Sequence, residues 1–182
     1  MRSIKILSVL LGILILTASA FGQQSKTEEG IDLYRSGRFG DAVSRLTEVT
    51  SVDKTDGLAL LYLAGAHKHL GNDKEAIKAL KVSRSSKRTT PPKYDKPVKI
   101  TSKRTLPIKG DDAGPRSDYT VAIELCSDGT VGIIIPYMVS FFERQQAIID
   151  DAKKIKFEPA VRNGKSVTVI HVFEYTFSSR SF

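Results

Sequence analysis

The sequence predicts an α+β protein: antiparallel helical hairpins first, then a small β-β-α-β unit whose strands form a three-stranded antiparallel sheet. Three observations carry this. A glycine-to-alanine pattern recurs after 34 residues in the first half. Two strong turn dipeptides, Asp128-Gly129 and Asn163-Gly164, sit between runs of β-branched and aromatic residues in the last third. Between those turns, Ile148, Ala152 and Ile155 recur at helical spacing.

The first twenty residues stand apart from the fold. Arg2 and Lys5 precede the apolar run from Ile6 to Leu16, and Ala18-Ser19-Ala20 offers the small-x-small pattern that a signal peptidase cuts. The run is short for a spanning helix, which needs about 20 apolar residues. Cleavage after Ala20 is therefore expected, with retention as an N-terminal anchor the alternative. Either route exports the chain, to the periplasm or cell envelope, and retention would tie it to the inner membrane. Without a cysteine near the cleavage site, no lipoprotein anchor forms.

The helical part spans 27–84. Gly37, Ala42 and Val43 recur as Gly71, Ala76 and Ile77; Leu46 recurs as Leu80, and Gly30 as Ala64. A glycine lets the chain reverse between helices, and a small alanine lets them approach closely. Helices are expected at 27–36, 39–50, 55–70 and 73–83. The period and the small-residue positions resemble the tetratricopeptide repeat, in two copies. That resemblance implies either a peptide-binding groove or a helical spacer. Because solenoids need about three repeats to stand alone, three arrangements are open: the pair leans on the other domain, self-associates, or survives as a four-helix unit.

The segment 85–117 reads as a basic, proline-containing linker, extended and poorly packed, with one short strand at Val98–Ile100. Residues 81–109 carry ten basic side chains against the single acid Asp95, a net +9, more than the +8 of the whole chain. The rest of the protein is thus near neutral. The basic stretch implies solubility or attraction to anionic envelope surfaces. Nucleic acid is excluded as a partner by export and by the lack of interleaved aromatic residues apart from Tyr94.

The C-terminal part spans 118–182. Tyr119, Val121, Ile123 and Leu125 alternate with Thr120, Ala122, Glu124 and Cys126, the pattern of a half-buried strand with a polar outer face. Val131–Tyr137 is the returning strand, Phe142–Lys156 the helix, and Val167–Phe177 a long final strand. Asp128-Gly129, Phe157-Glu158-Pro159-Ala160 and Asn163-Gly164-Lys165-Ser166-Val167, in this order, resemble the C-terminal domain of TonB-type energy transducers, over roughly a third of the chain. The likeness departs before Asp118, where the family has a helix, and no motor-contacting motif is evident. The resemblance implies a periplasmic module that binds a protein partner by strand pairing, either a segment of an outer-membrane transporter or another envelope protein, with homodimerisation through the last strand as a further option. Its candidate docking residues are Val167, Val169, His171, Phe173 and Tyr175. The alternative function is a periplasmic repeat scaffold with no role in energy transduction.

Catalysis is not expected. Asp150 and Asp151 are adjacent on a helix and point apart; His67 and His69, two apart, do not share a face, so no metal site is expected. Cys126 is the only cysteine, which rules out an internal disulfide and a cysteine metal cluster, and no phosphate-binding glycine loop or nucleophile elbow is present. No cofactor follows from the sequence.

Overall fold

The computed structural model describes residues 26–86, 92–102, 117–137 and 142–177. The N-terminal segment read as a signal or anchor lies outside them. The described chain is mixed α+β: four helices, then a three-stranded antiparallel sheet with a fifth helix between its strands.

Helix α1 covers 26–35, α2 Phe39–Val52, α3 Gly57–His69 and α4 Asp73–Ser85. Both turns at the repeat positions have the same construction. Gly37 and Gly71 each adopt φ of 76°. The Gly37 and Gly71 amides donate to Tyr34 and Lys68 carbonyls, and the next amides, Arg38 and Asn72, reach back to Leu33 and His67 (2.9–3.1 Å). This is the Schellman closure, which needs a left-handed residue that glycine adopts without strain. Ala42 and Ala76, and Leu46 and Leu80, are all fully buried, as their equivalence requires. Gly30 permits a close approach: a Cβ there would lie 2.5 Å from Leu46 Cδ2.

Helix α3 differs from its neighbours. Gly57 and every residue from Ala59 to Ala66 are buried, so it is apolar all round, as a helix covered on every side must be. Its start is fixed by Asp56, which accepts from Ala59 N at 2.9 Å. Helices α2 and α4 flank it, and the sheet covers what they leave.

The strands are β1 Lys99–Ile100, β2 Ser117–Leu125, β3 Val131–Tyr137, β4 Phe157–Glu158, β5 Ala160–Arg162, β6 Lys165–Val167 and β7 Val169–Phe177, with helix α5 (Phe142–Ala152) between β3 and β4. The main sheet has the order β3-β2-β7. Asp128 closes the first hairpin by accepting from the Thr130 amide and hydroxyl (2.9 and 2.6 Å), with Gly129 at φ 87°. Asn163 (φ 53°) and Gly164 (φ 71°) both enter the left-handed region, the demand of a two-residue turn between β5 and β6.

Four expectations are altered. The expected half-buried strand β2 is buried on both faces from Tyr119 to Leu125. One face packs with Ile148, Ala152 and Ile155; the other, carrying Ala122 and joined by Ile135 and Ile170, belongs to the core of the helices. The helical pair therefore leans on the sheet and shares its core. The helix expected to reach Lys156 ends at Ala152, because a tighter turn (Ile155 N to Ala152 O, 3.2 Å) brings Ile155 inward and Phe157 into register with Ile100. The long strand expected from Val167 breaks at Thr168: Val167 pairs with Ala160 in the small hairpin, and β7 starts at Val169. Finally, 92–102 is extended but packed. Tyr94, Val98 and Ile100 lie against the α5-side core, and Lys96 bridges to Val161.

Candidate functional site

The sheet order leaves two outer strands, and β7 is the one beside an open groove. β7 pairs with β2 along its length without a shift, from Val169 opposite Leu125 to Phe177 opposite Ser117. Alternate residues of an antiparallel strand direct their amide and carbonyl away from the partner.

At its start, the outward side of β7 is already filled. Arg35 Nε donates to the Thr168 carbonyl at 3.1 Å, and its terminal nitrogen donates to the Tyr94 hydroxyl at 3.2 Å. The buried Tyr62 lies close to Ile170 and Tyr94 at this end of the strand. Burial, with Tyr94 beside it, holds the Tyr62 phenol above its ordinary range, so the group stays neutral. The Thr168 carbonyl thus points outward, and by alternation so do the backbone groups of Ile170, Val172, Glu174 and Thr176.

Farther along, a groove of about 800 Å³ runs beside the strand, lined by Ile100, Ser102, His171, Val172, Phe173 and Glu174. Ile100 and Ser102 form its far wall, held where the Thr101 and Ser102 amides donate to the Lys156 carbonyl (2.9 and 3.2 Å). An extended chain entering this groove meets outward amides and carbonyls on one side and apolar surface from Ile100 and Phe173 beneath. Such an edge can accept a further strand.

The five residues singled out from sequence divide three ways. Val167 is on β6, away from the β7 edge. Val169, Phe173 and Tyr175 are buried in the core under α5, and the Tyr175 hydroxyl bonds Asp151 at 3.0 Å. Only His171 presents an exposed side chain, its ring 4.6 Å from that of Phe173. Glu174, exposed and 3.6 Å from Arg84, belongs to the edge and was not anticipated. Nor were Ile100 and Ser102, which reach it from the middle of the sequence.

A second cluster lies where the helices meet the sheet. Glu124, 5% exposed, accepts from Tyr34 at 2.6 Å and from the Ile133 amide at 3.1 Å, and lies 3.1 Å from His69 Nε2. His69 stacks on Phe39 at 3.9 Å between ring centroids. Burial first, then the Glu124 carboxylate, raises the Tyr34 phenol pKa. Both carboxylate oxygens are engaged, so the arrangement joins two layers and offers no open position for a reacting group. Among the described residues, no group of three or more His, Cys, Asp or Glu side chains could hold a metal ion. The helix faces that carry Tyr34, Gly65 and His69 are covered by the sheet.

Among the described residues, no helix is long and apolar enough to cross a membrane. The chain matches no protein-family model, and a search of curated proteins finds no match.

Proposed function

We propose that the chain is a non-catalytic, exported protein-binding module that takes an extended segment of a partner protein alongside β7. The observation that carries this reading is the open groove beside an outer strand whose Val172 and Glu174 backbone turns away from its own sheet. The order β2, β3, α5, β7 with its Asp-Gly and Asn-Gly turns supports the likeness to TonB C-terminal domains, and with it a partner in the outer-membrane transport system. The two matching Schellman turns and the buried alanines support the likeness of the helices to a tetratricopeptide pair. A second reading, an envelope scaffold outside energy transduction, draws support from the use of the helical face to bind the chain's own sheet.

Glu174→Pro tests the binding mode. It removes an outward N–H while leaving the β2 ladder its donors, and the side chain it replaces is exposed. A photocrosslinker at His171 should capture one defined partner in the native host. Glu174→Pro should reduce that capture by about tenfold while the melting temperature stays near that of the parent. Undiminished capture by the folded variant refutes pairing at this edge. Retention of residues 1–20 in the exported protein would favour force transmission over the scaffold.

A further inference from the structure

Helix α4 carries a row of positive charge that its place in the fold does not require. Ala76, Ala79, Leu80 and Ser83 form its buried side. On the opposite side Lys74, Lys78, Lys81 and Ser85 recur at i, i+4, i+7 and i+11, all exposed. Ile77 and Val82 border this row on its two flanks, 43% and 39% exposed. We propose that this face of α4 docks on the anionic headgroup surface of a phospholipid bilayer. Docking here does not depend on strand pairing at β7.

The 34-residue repeat supplies an internal reference. Helix α2 holds the equivalent place in the first hairpin, and its matching row is Gly40, Ser44, Thr47 and Ser51, exposed and uncharged. The helical hairpin is therefore built without charge at these positions, and the lysines belong to α4 alone. They are also unpaired. Among the described residues none of the three joins an ion pair, whereas Lys26, Arg38, Arg45, Lys68 and Arg162 all do. The acids of α4 stand aside from the row: Asp73 is engaged by Lys68 at 2.7 Å, and Glu75 lies toward His67. At the end of the helix Arg84 sits 5.8 Å over the Tyr137 ring and 3.6 Å from Glu174. The sequence then runs on into Lys87 and Arg88.

Shape and the apolar flanks point to lipid. The row spans about 16 Å at roughly 1.5 Å per residue, a straight line of flexible ammonium groups that can reach phosphates without a fixed geometry. Ile77 and Val82 gain by entering the boundary between headgroups and acyl chains. A hydrated polysaccharide offers them no such gain. A lysine at an anionic leaflet is worth about fivefold in partitioning, so three are worth about a hundredfold.

An environment-sensitive fluorophore on Ser85→Cys, in the full chain with Cys126→Ser, reads the face itself, whatever else holds the chain to a vesicle. The probes are vesicles of phosphatidylcholine with and without phosphatidylglycerol. Emission should shift to the blue with the anionic vesicles alone, and added salt should reverse the shift. Lys74→Gln/Lys78→Gln/Lys81→Gln should weaken partitioning about a hundredfold. Lys54→Gln/Lys154→Gln/Lys165→Gln removes the same charge from exposed positions elsewhere and should weaken it less than about fivefold. Ile77→Ser/Val82→Ser should weaken it about tenfold, and melting curves confirm that each variant folds. No shift with anionic vesicles, or an equal shift with neutral ones, overturns the proposal. Equal losses in the two triple variants overturn it too, because net charge and not α4 would then govern binding. Dextran sulfate that binds through the three lysines as tightly as the vesicles, and equally well in Ile77→Ser/Val82→Ser, would make a polysaccharide the occupant and overturn the choice of a bilayer.

Discussion

Gly65→Ala tests whether the helical layer and the sheet are one packed body. Gly65 lies in α3, and a Cβ built there would meet Ile170 Cδ1 at 2.4 Å and the Tyr34 ring at 3.0 Å. Ile170 is on β7 and Tyr34 on α1, and both are buried, so neither can swing into solvent. Overpacking of this kind costs about 1–3 kcal/mol. Against it stands the gain of about 1 kcal/mol from replacing a mid-helix glycine by alanine. The net expectation runs from near neutral to a loss of about 2 kcal/mol, a fall in melting temperature of up to about 8 °C for a chain of this size. Urea denaturation with an unchanged m-value would locate the effect in the folded state. The double variant Gly65→Ala/Ile170→Val removes the Cδ1 that the new methyl strikes. Ile170→Val alone costs about 0.5–1.5 kcal/mol, but in the Gly65→Ala background it should cost less or even stabilise, a coupling of about 1 kcal/mol. If Gly65→Ala stabilises the protein, or the two changes simply add, then α3 and β7 are not in the contact described and the shared core is refuted.

The remaining expectations are checked more simply. Tyr34→Phe strips a donor from buried Glu124 and should cost about 1.5–3 kcal/mol by urea denaturation, whereas Tyr137→Phe should be near neutral. Gly37→Ala or Gly71→Ala forces a Cβ into left-handed backbone and should each lose about 1–2 kcal/mol, with similar values because the two turns are built alike. Cys126 is pushed up in pKa by burial first and then by Glu124, so its alkylation by iodoacetamide at pH 8 should be slower than that of a free thiol and should speed up in urea. His67 is held below its ordinary pKa by burial. The unfolded chain therefore binds the proton more readily, and the melting temperature should fall as pH drops through about 6.5. Asp128 adds to the fall at lower pH: its folded pKa is depressed by Thr130, so its contribution is present above the unfolded value and lost as the folded carboxylate is protonated. Thermal melts from pH 8 to pH 3 check both signs.

Much of the architecture was legible because it rests on local rules. The glycines that close the helical hairpins, the alanines that let helices meet and the Asp-Gly and Asn-Gly turns each express a backbone demand within a few residues. What escaped was set by distant packing. Thr120 and Glu124 read as a solvent face because polar residues alternate with apolar ones, yet the helices cover them and supply the Tyr34 and His69 partners 90 and 55 residues away. Gly132 shows how closely this is fitted, since a Cβ there would fall 2.0 Å from Glu124 Oε2. The break at Thr168 escaped because Val167, Val169 and their neighbours are equally β-prone; pairing of Val167 with Ala160 ends one ladder before the next begins. At the candidate edge, the sequence singled out Val169, Phe173 and Tyr175 for docking where the structure buries them, and it carried no sign of Arg35, which reaches the Thr168 carbonyl across 133 residues.

The all-round apolar helix α3 has a consequence for how the protein is made. A ribosome delivers α3 early, and α2 and α4 can clothe part of it at once, since they are its neighbours in the chain. The side that meets Ile170 stays bare until β7 emerges, roughly a hundred residues later, an interval of about 5–20 s at ordinary synthesis rates. During that time a strip of alanine and leucine surface is available to anything apolar nearby. A chaperone that holds extended or half-folded chains would find its binding surface in that strip, and for a chain threaded across a membrane before folding it would act on the far side.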